Sequence, residues 1–241
     1  MFDRTFFRAL ALMAVFCMVW AGAACDRDSR YRAGNDPAAL QQAADKGDAR
    51  AQYELGTMYA RGQGVPQDLA QAAALYQKAS DHGLPEAQAA LGAMYALGVG
   101  VGRDAGKGLA LLQKASDQGI AEAQTILASM YARGNGVPQD YAKAVELYQK
   151  ASDQGYASAR IALGAMYAWG QGVPEDTGKG LALLKETADQ GYPQAWYALG
   201  MMHCLGHGVP QDVKKGCGLL RDAAGKEVPG AQAAVDRYCP Q

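Results

Sequence analysis

LGTMYARGQGVPQD, from Leu55 to Asp68, is the stretch that decides the fold, because it returns four times in recognisable form. The later copies begin at Leu91, Leu127, Leu163 and Leu199. Every step is 36 residues long, with no insertion between copies. Self-similarity at one fixed period of this length is typical of a protein built from a single stacked unit. The sequence therefore predicts an elongated array of repeats.

Each copy is predicted to form two helices. Apolar residues such as Ala51, Leu55 and Tyr59 recur at spacings of four, which places them on one helical face. Gly62 is suited to end this helix, since glycine adopts the left-handed conformation at no steric cost. Asp68 is suited to cap the free backbone N–H groups of the second helix. A lone helix pair cannot cover its own apolar stripe, so the copies must stack.

The frame of the repeat divides the chain from residue 37 onward. A half-repeat is predicted at 37–50 and another at 231–241. The five full repeats are 51–86, 87–122, 123–158, 159–194 and 195–230. Glycine at position 56 of the frame, and at its equivalents in most other copies, would let neighbouring helices approach closely.

The shared pattern is A-x-x-x-L-G-x-M-Y-x-x-G-x-G-V-x-x-D, followed by K-A-x-x-L-Y-x-K-A and a closing D-x-G. This pattern resembles the Sel1-like repeat, a relative of the tetratricopeptide repeats, in all five copies. The resemblance implies an all-α fold, a right-handed superhelical solenoid of antiparallel helix pairs. It also implies a role as an adaptor that binds other proteins. We expect no enzymatic activity and no cofactor.

The first 24 residues have the parts of a secretory signal peptide. Two arginines precede twelve apolar residues (9–20), which are too few to span a bilayer comfortably, and small residues follow. Gly22-Ala23-Ala24-Cys25 resembles a bacterial lipobox, in which Cys25 is lipidated, although this family prefers an aliphatic residue where Gly22 stands. Residues 25–36 would then be a flexible tether. We expect a membrane-anchored protein of the periplasm or cell envelope; ordinary cleavage after Ala23 would instead release a secreted protein.

Charge excludes some partners and leaves others open. Lysine and arginine number 23 against 24 aspartates and glutamates, so no basic excess indicates nucleic-acid binding. We expect an envelope protein or peptide as partner. A receptor for envelope polysaccharide, which would stack sugars on the same aromatic residues, remains a second possibility.

MMHCLGH (201–207) looks like the start of a metal site. In the repeat frame, however, His203 stands at a tyrosine position, and His207 stands in a turn between two helix-ending glycines. The two histidines are thus not on one regular helix, and no metal site is predicted. Among the cysteines left after export, helical-wheel positions favour a Cys217–Cys239 disulfide across the turn 225–230, with Cys204 pointing elsewhere.

No catalytic residue is predicted. Most polar residues recur with the period of the fold and have structural roles, as Asp68 has. Some cysteine-rich Sel1-repeat proteins have been described as penicillin-binding or β-lactamase-like. A serine β-lactamase needs S-x-x-K, and no serine that follows the tether has lysine three residues on. The paired cysteines that mark that subgroup are missing as well.

A binding surface is predicted on the side of each first helix that lies opposite Leu55. Position 61 of the frame varies between copies, so the scaffold does not constrain it. On this side of the first helices of the last two repeats, aromatic and apolar residues lie close together, which is typical of a hot spot for a peptide or protein. These residues are Trp169, Trp196, Tyr197, Met201 and Leu205. Arg61 and Arg133 would add a charged lip. The alternative is that the apolar side chains only pack between neighbouring helices.

Overall fold

The computed structural model describes residues 36–239. The predicted signal peptide, Cys25 and nearly all of the predicted tether lie outside this range. Asp36, the last tether residue, caps the first helix by accepting a hydrogen bond from the Ala38 backbone N–H at 3.0 Å. No helix between residues 36 and 239 has the length and apolar character needed to cross a membrane.

Residues 36–239 form twelve α-helices and no β-strand. They are α1 (Pro37–Asp45), α2 (Ala49–Arg61), α3 (Leu69–Asp81), α4 (Pro85–Leu97), α5 (Ala105–Asp117), α6 (Ala121–Arg133), α7 (Tyr141–Asp153), α8 (Ala157–Ala168), α9 (Thr177–Asp189), α10 (Pro193–Leu205), α11 (Val213–Gly225) and α12 (Ala231–Tyr238). The five pairs from α2–α3 to α10–α11 are the five repeats, and α1 and α12 are single helices at either end. The prediction of an all-α fold of 36-residue repeats is confirmed.

The described residues fall into two compact units. One contains residues 36–127 and 135–137, and the other contains residues 128–134 and 138–239. In both units the large side chains that are almost completely buried are mainly leucines of the repeat frame: Leu55, Leu91, Leu112, Leu127, Leu163, Leu184 and Leu220.

The helix ends follow local chemistry. The second helix of every repeat begins after an aspartate with φ between −146° and −139°: Asp68, Asp104, Asp140, Asp176 and Asp212. In each case the carboxylate accepts a hydrogen bond from the backbone N–H three residues on, which satisfies a donor that the helix leaves unpaired. Gly62, Gly98 and Gly206 end first helices with φ of 64°, 73° and 68°.

Facing glycines set the distance between the two helices of a repeat. In the fourth repeat Gly164 of α8 faces Gly180 of α9, and a Cβ atom added at Gly180 would lie 2.5 Å from the Gly164 carbonyl oxygen. The same arrangement joins Gly92 to Gly108 and Gly200 to Gly216. These helices pack backbone against backbone.

The cysteines at the C-terminal end adopt the pairing that the sequence predicts. Cys217 of α11 and Cys239, directly after α12, form a disulfide with their Cα atoms 5.5 Å apart. Cys204 is a buried free thiol, and burial raises its pKa.

Candidate interaction surface

Tyr197 and Met201, two members of the predicted hot spot, are buried. Only 3% and 2% of their surfaces are exposed, and both belong to a core cluster with Cys217, Leu220 and residues of α12. The expectation that these two side chains face solvent is therefore wrong. Helix α12 packs against the face of α10 that carries these two side chains.

Trp196 is held by the fold as well. Its indole Nε1–H donates a hydrogen bond to the Ala188 carbonyl oxygen of α9 at 3.1 Å. The ring is half-buried and packs against the same C-terminal cluster. Its polar atom is thus used inside the protein.

Trp169 forms a different arrangement. Helix α8 ends one residue earlier than the other first helices, so Trp169 is its C-cap residue. The indole stacks on the His207 imidazole, with ring centroids 4.9 Å apart and an angle of 17° between the planes. His207 Nε2 lies 2.6 Å from the Ala168 carbonyl oxygen, so as the Nε2–H tautomer it donates a hydrogen bond there. Both rings are half-buried.

Leu205, the last residue of α10, is 38% exposed and is the one large apolar residue classed as exposed among residues 36–239. It precedes His207, whose ring stacks on Trp169, by two residues in the sequence. We call Trp169, His207 and Leu205 the Trp169 surface. In the repeat frame His207 stands in a turn between two glycines. The structure shows that this position reaches back to the preceding repeat.

The two predicted arginines belong to different units and have different surroundings. Arg61 is exposed at the end of α2. Arg133 is half-buried, and no acceptor within residues 36–239 bonds to its Nε and Nη2 atoms. Burial lowers its pKa, while the nearby Tyr148 opposes that change. The expectation of an exposed charged lip is wrong for Arg133.

Lysine–tyrosine pairs, which the repeat frame did not predict, join the two helices of a repeat. Lys179 Nζ lies 3.9 Å from the centre of the Tyr167 ring and donates a hydrogen bond to its hydroxyl at 2.7 Å. Lys143 lies 4.3 Å from the Tyr131 ring, and a hydrogen bond to Tyr131 raises the pKa of Lys143. The signal was present in the sequence, because lysine follows these tyrosines after twelve residues. These lysines therefore stabilise the helix pair.

The last repeat replaces this tyrosine by His203. Burial lowers the pKa of His203, and the nearby charge of Lys215 lowers it further. Helix α10 ends before His207, as the repeat frame predicts. Within residues 36–239 no group of three or more histidine, cysteine, aspartate or glutamate side chains could hold a metal ion.

Helix pairs repeated every 36 residues, with variable side chains on a fixed frame, define an α-helical repeat protein. The chain belongs to the Sel1 repeat family, whose members are typically protein-interaction scaffolds. The family pattern matches 49–84, 85–120, 121–156, 157–192 and 193–226, starting two residues earlier than the frame used above.

Solved structures share this fold. A protective antigen of uropathogenic Escherichia coli strains, c5321, is 34% identical over 90% of this chain with a TM-score of 0.66, and this chain spans 48% of that protein. A Sel1 repeat protein from Oxalobacter formigenes is 29% identical over 79% of this chain and 84% of its own, with a TM-score of 0.64. Immunity protein PA5088 from Pseudomonas aeruginosa is 26% identical over 74% of this chain and 65% of its own, with a TM-score of 0.53. No curated protein matches the chain.

Proposed function

We propose that the protein is a non-enzymatic scaffold of the bacterial cell envelope, and that it binds a protein partner at the Trp169 surface. The observation that carries this proposal is the half-buried stack of Trp169 on His207, together with the exposed Leu205 two residues before His207 in the sequence. Large, partly desolvated aromatic anchors next to apolar side chains are the residues that dominate binding energy at protein interfaces. The strict frame needs neither tryptophan nor leucine at position 61, since it carries arginine there in two other repeats.

We expect the double variant Trp169→Ala/Leu205→Ser to lose at least thirtyfold in affinity for the partner, about 2 kcal/mol for a hot spot. The measurement is crosslinking in cells followed by affinity capture from the native envelope, then titration of the captured protein. Leu97→Ser is the matched control, because it changes the same frame position in another repeat. Equal capture by all three proteins would place the site elsewhere. Binding to glycans with no captured protein would favour the polysaccharide receptor.

The envelope location rests on the N-terminal sequence alone. We expect wild-type protein to incorporate a labelled fatty acid and to sediment with membranes, because lipid attached at Cys25 would anchor it. Cys25→Ser should lose the label and appear in the soluble fraction. If both proteins are soluble, unlabelled and begin at Ala24, ordinary cleavage is the correct reading and the anchor is excluded.

A second candidate concerns the partner's class. The likeness to immunity protein PA5088 favours a toxic protein as the partner that this chain would neutralise. Expression of the captured partner alone would then arrest growth, and co-expression of this chain would restore it. A partner that is harmless alone would exclude this candidate and leave the scaffold proposal intact.

A further inference from the structure

The turn between α11 and α12 has an unusual backbone. Glu227 has φ of 56° and is the one residue other than glycine with positive φ among residues 36–239. The four preceding repeats have glycine at this position, namely Gly83, Gly119, Gly155 and Gly191, with φ between 82° and 88°. A side chain with a Cβ atom is disfavoured in this conformation. The last turn therefore holds strain that the other repeats avoid.

Helix α12 is weakly anchored by its own residues. It has eight residues, and its N-cap, Gly230, supplies no side-chain hydrogen bond. Only Ala231 and Ala234 are fully buried, whereas α10 buries nine residues. Short helices are marginal without tertiary packing. The Cys217–Cys239 disulfide directly after α12 is thus a large part of what holds it in place.

What α12 covers is the aromatic and apolar face of α10. Tyr197, Met201 and Val228 form one cluster with the buried alanines of α12, and Trp196 and Tyr238 pack against it. Burial raises the pKa of Tyr197, and the neighbouring Tyr238 adds to the effect. In the first repeat the same frame position, Tyr53, packs against a cluster that contains Tyr76 of its own repeat and Leu91 and Met94 of the next first helix. Helix α12 covers α10 in a comparable way.

We propose that α12 is a disulfide-held latch: with Cys217–Cys239 intact it covers Tyr197 and Met201, and after reduction it detaches while the five repeats stay folded. The reductant is a dithiol. It supplies two electrons and two protons, the S–S bond breaks to give two thiols, and the dithiol closes to its own disulfide. Cys204 lies in the same cluster and stays a thiol in both states. This inference does not depend on the proposed function.

Amide hydrogen exchange of the full mature chain tests the latch, with and without dithiothreitol. A disulfide that closes a loop of this size favours the docked state by about a hundredfold. We therefore expect amides of α12 to exchange about a hundredfold faster after reduction. Amides of α2, in the other unit, serve as the internal reference and should not change. A change of less than threefold in α12, or an equal rise in α2, would overturn the proposal.

A disulfide-free variant gives an independent readout. In Cys217→Ser/Cys239→Ser we expect hydrogen peroxide to oxidise Met201 at least tenfold faster than in wild type. Met166, which is 4% exposed and distant in sequence from α12, should react at the same slow rate in both proteins. Adding Glu227→Gly should remove the backbone strain and slow α12 exchange about fivefold. A Met201 oxidation rate equal to that of wild type would contradict the latch. An α12 exchange rate that Glu227→Gly does not slow would contradict strain in its turn.

Discussion

Gly180→Leu is expected to lower the free energy of unfolding by about 3 kcal/mol or more. The added side chain would begin 2.5 Å from the Gly164 carbonyl oxygen and 2.8 Å from the Ala168 backbone nitrogen. Both atoms belong to the backbone of α8, so no side-chain rotation can relieve the clash. The two helices of the fourth repeat would have to move apart, and Leu184, which is completely buried between them, would lose contacts.

Gly178→Ala is the matched control for this experiment. It lies in the same helix, and the nearest atom to an added Cβ is Asp176 Oδ1 at 3.5 Å. Alanine is favoured over glycine in a helix by about 0.5–1 kcal/mol, so this variant should be slightly more stable than wild type. Urea unfolding followed by circular dichroism measures both. A Gly180→Leu protein that loses less than 1 kcal/mol would show that close backbone packing is not needed in this repeat.

The repeat frame predicted the helices because its signals are local. A glycine ends a helix through its own backbone, and Asp68 caps through a bond to Gln71 three residues away. Such features can be predicted without knowing how neighbouring repeats pack. The disulfide could also be predicted from local sequence, because two helices joined by a short turn run antiparallel and bring Cys217 and Cys239 together.

The candidate site was harder to predict because it depends on contacts between repeats. A helical wheel shows which residues lie on the same side of the helix as Leu55, and we took the opposite side to be exposed to solvent. In the structure, α10 packs against its partner α11 and also against α12, so Tyr197 is buried beneath α12. The stack of Trp169 on His207 joins residues 38 positions apart in sequence. No local pattern encodes that pairing.

The buried arginine of the third repeat illustrates the same limit. Arg133 occupies the frame position that is exposed as Arg61 in the first repeat. Its charge lies beside Tyr148, a residue of the following helix α7. Residues at the same frame position can therefore have different surroundings in different repeats. A repeat sequence predicts the contacts within the helical scaffold more reliably than it predicts which side chains are exposed to solvent.

Alkaline unfolding should report on Tyr148. Burial raises its pKa from the usual value of 10 to about 12, and the positive charge of Arg133 opposes that rise. Because the pKa is higher in the folded protein, the stabilisation is complete below pH 10 and is lost as the pH rises toward 12. Two pKa units correspond to about 2.7 kcal/mol, which is the largest loss that this residue can cause.

Tyr148→Phe isolates this contribution, because phenylalanine keeps the ring and cannot ionise. We expect wild type to lose about 2 kcal/mol more stability than the variant between pH 9 and pH 11.5, measured as the shift of the urea midpoint. Other tyrosines and lysines titrate equally in both proteins, so they cancel in the difference. Parallel curves for the two proteins would mean that Tyr148 ionises in contact with water, and that the core of the third repeat is more open than its packing indicates.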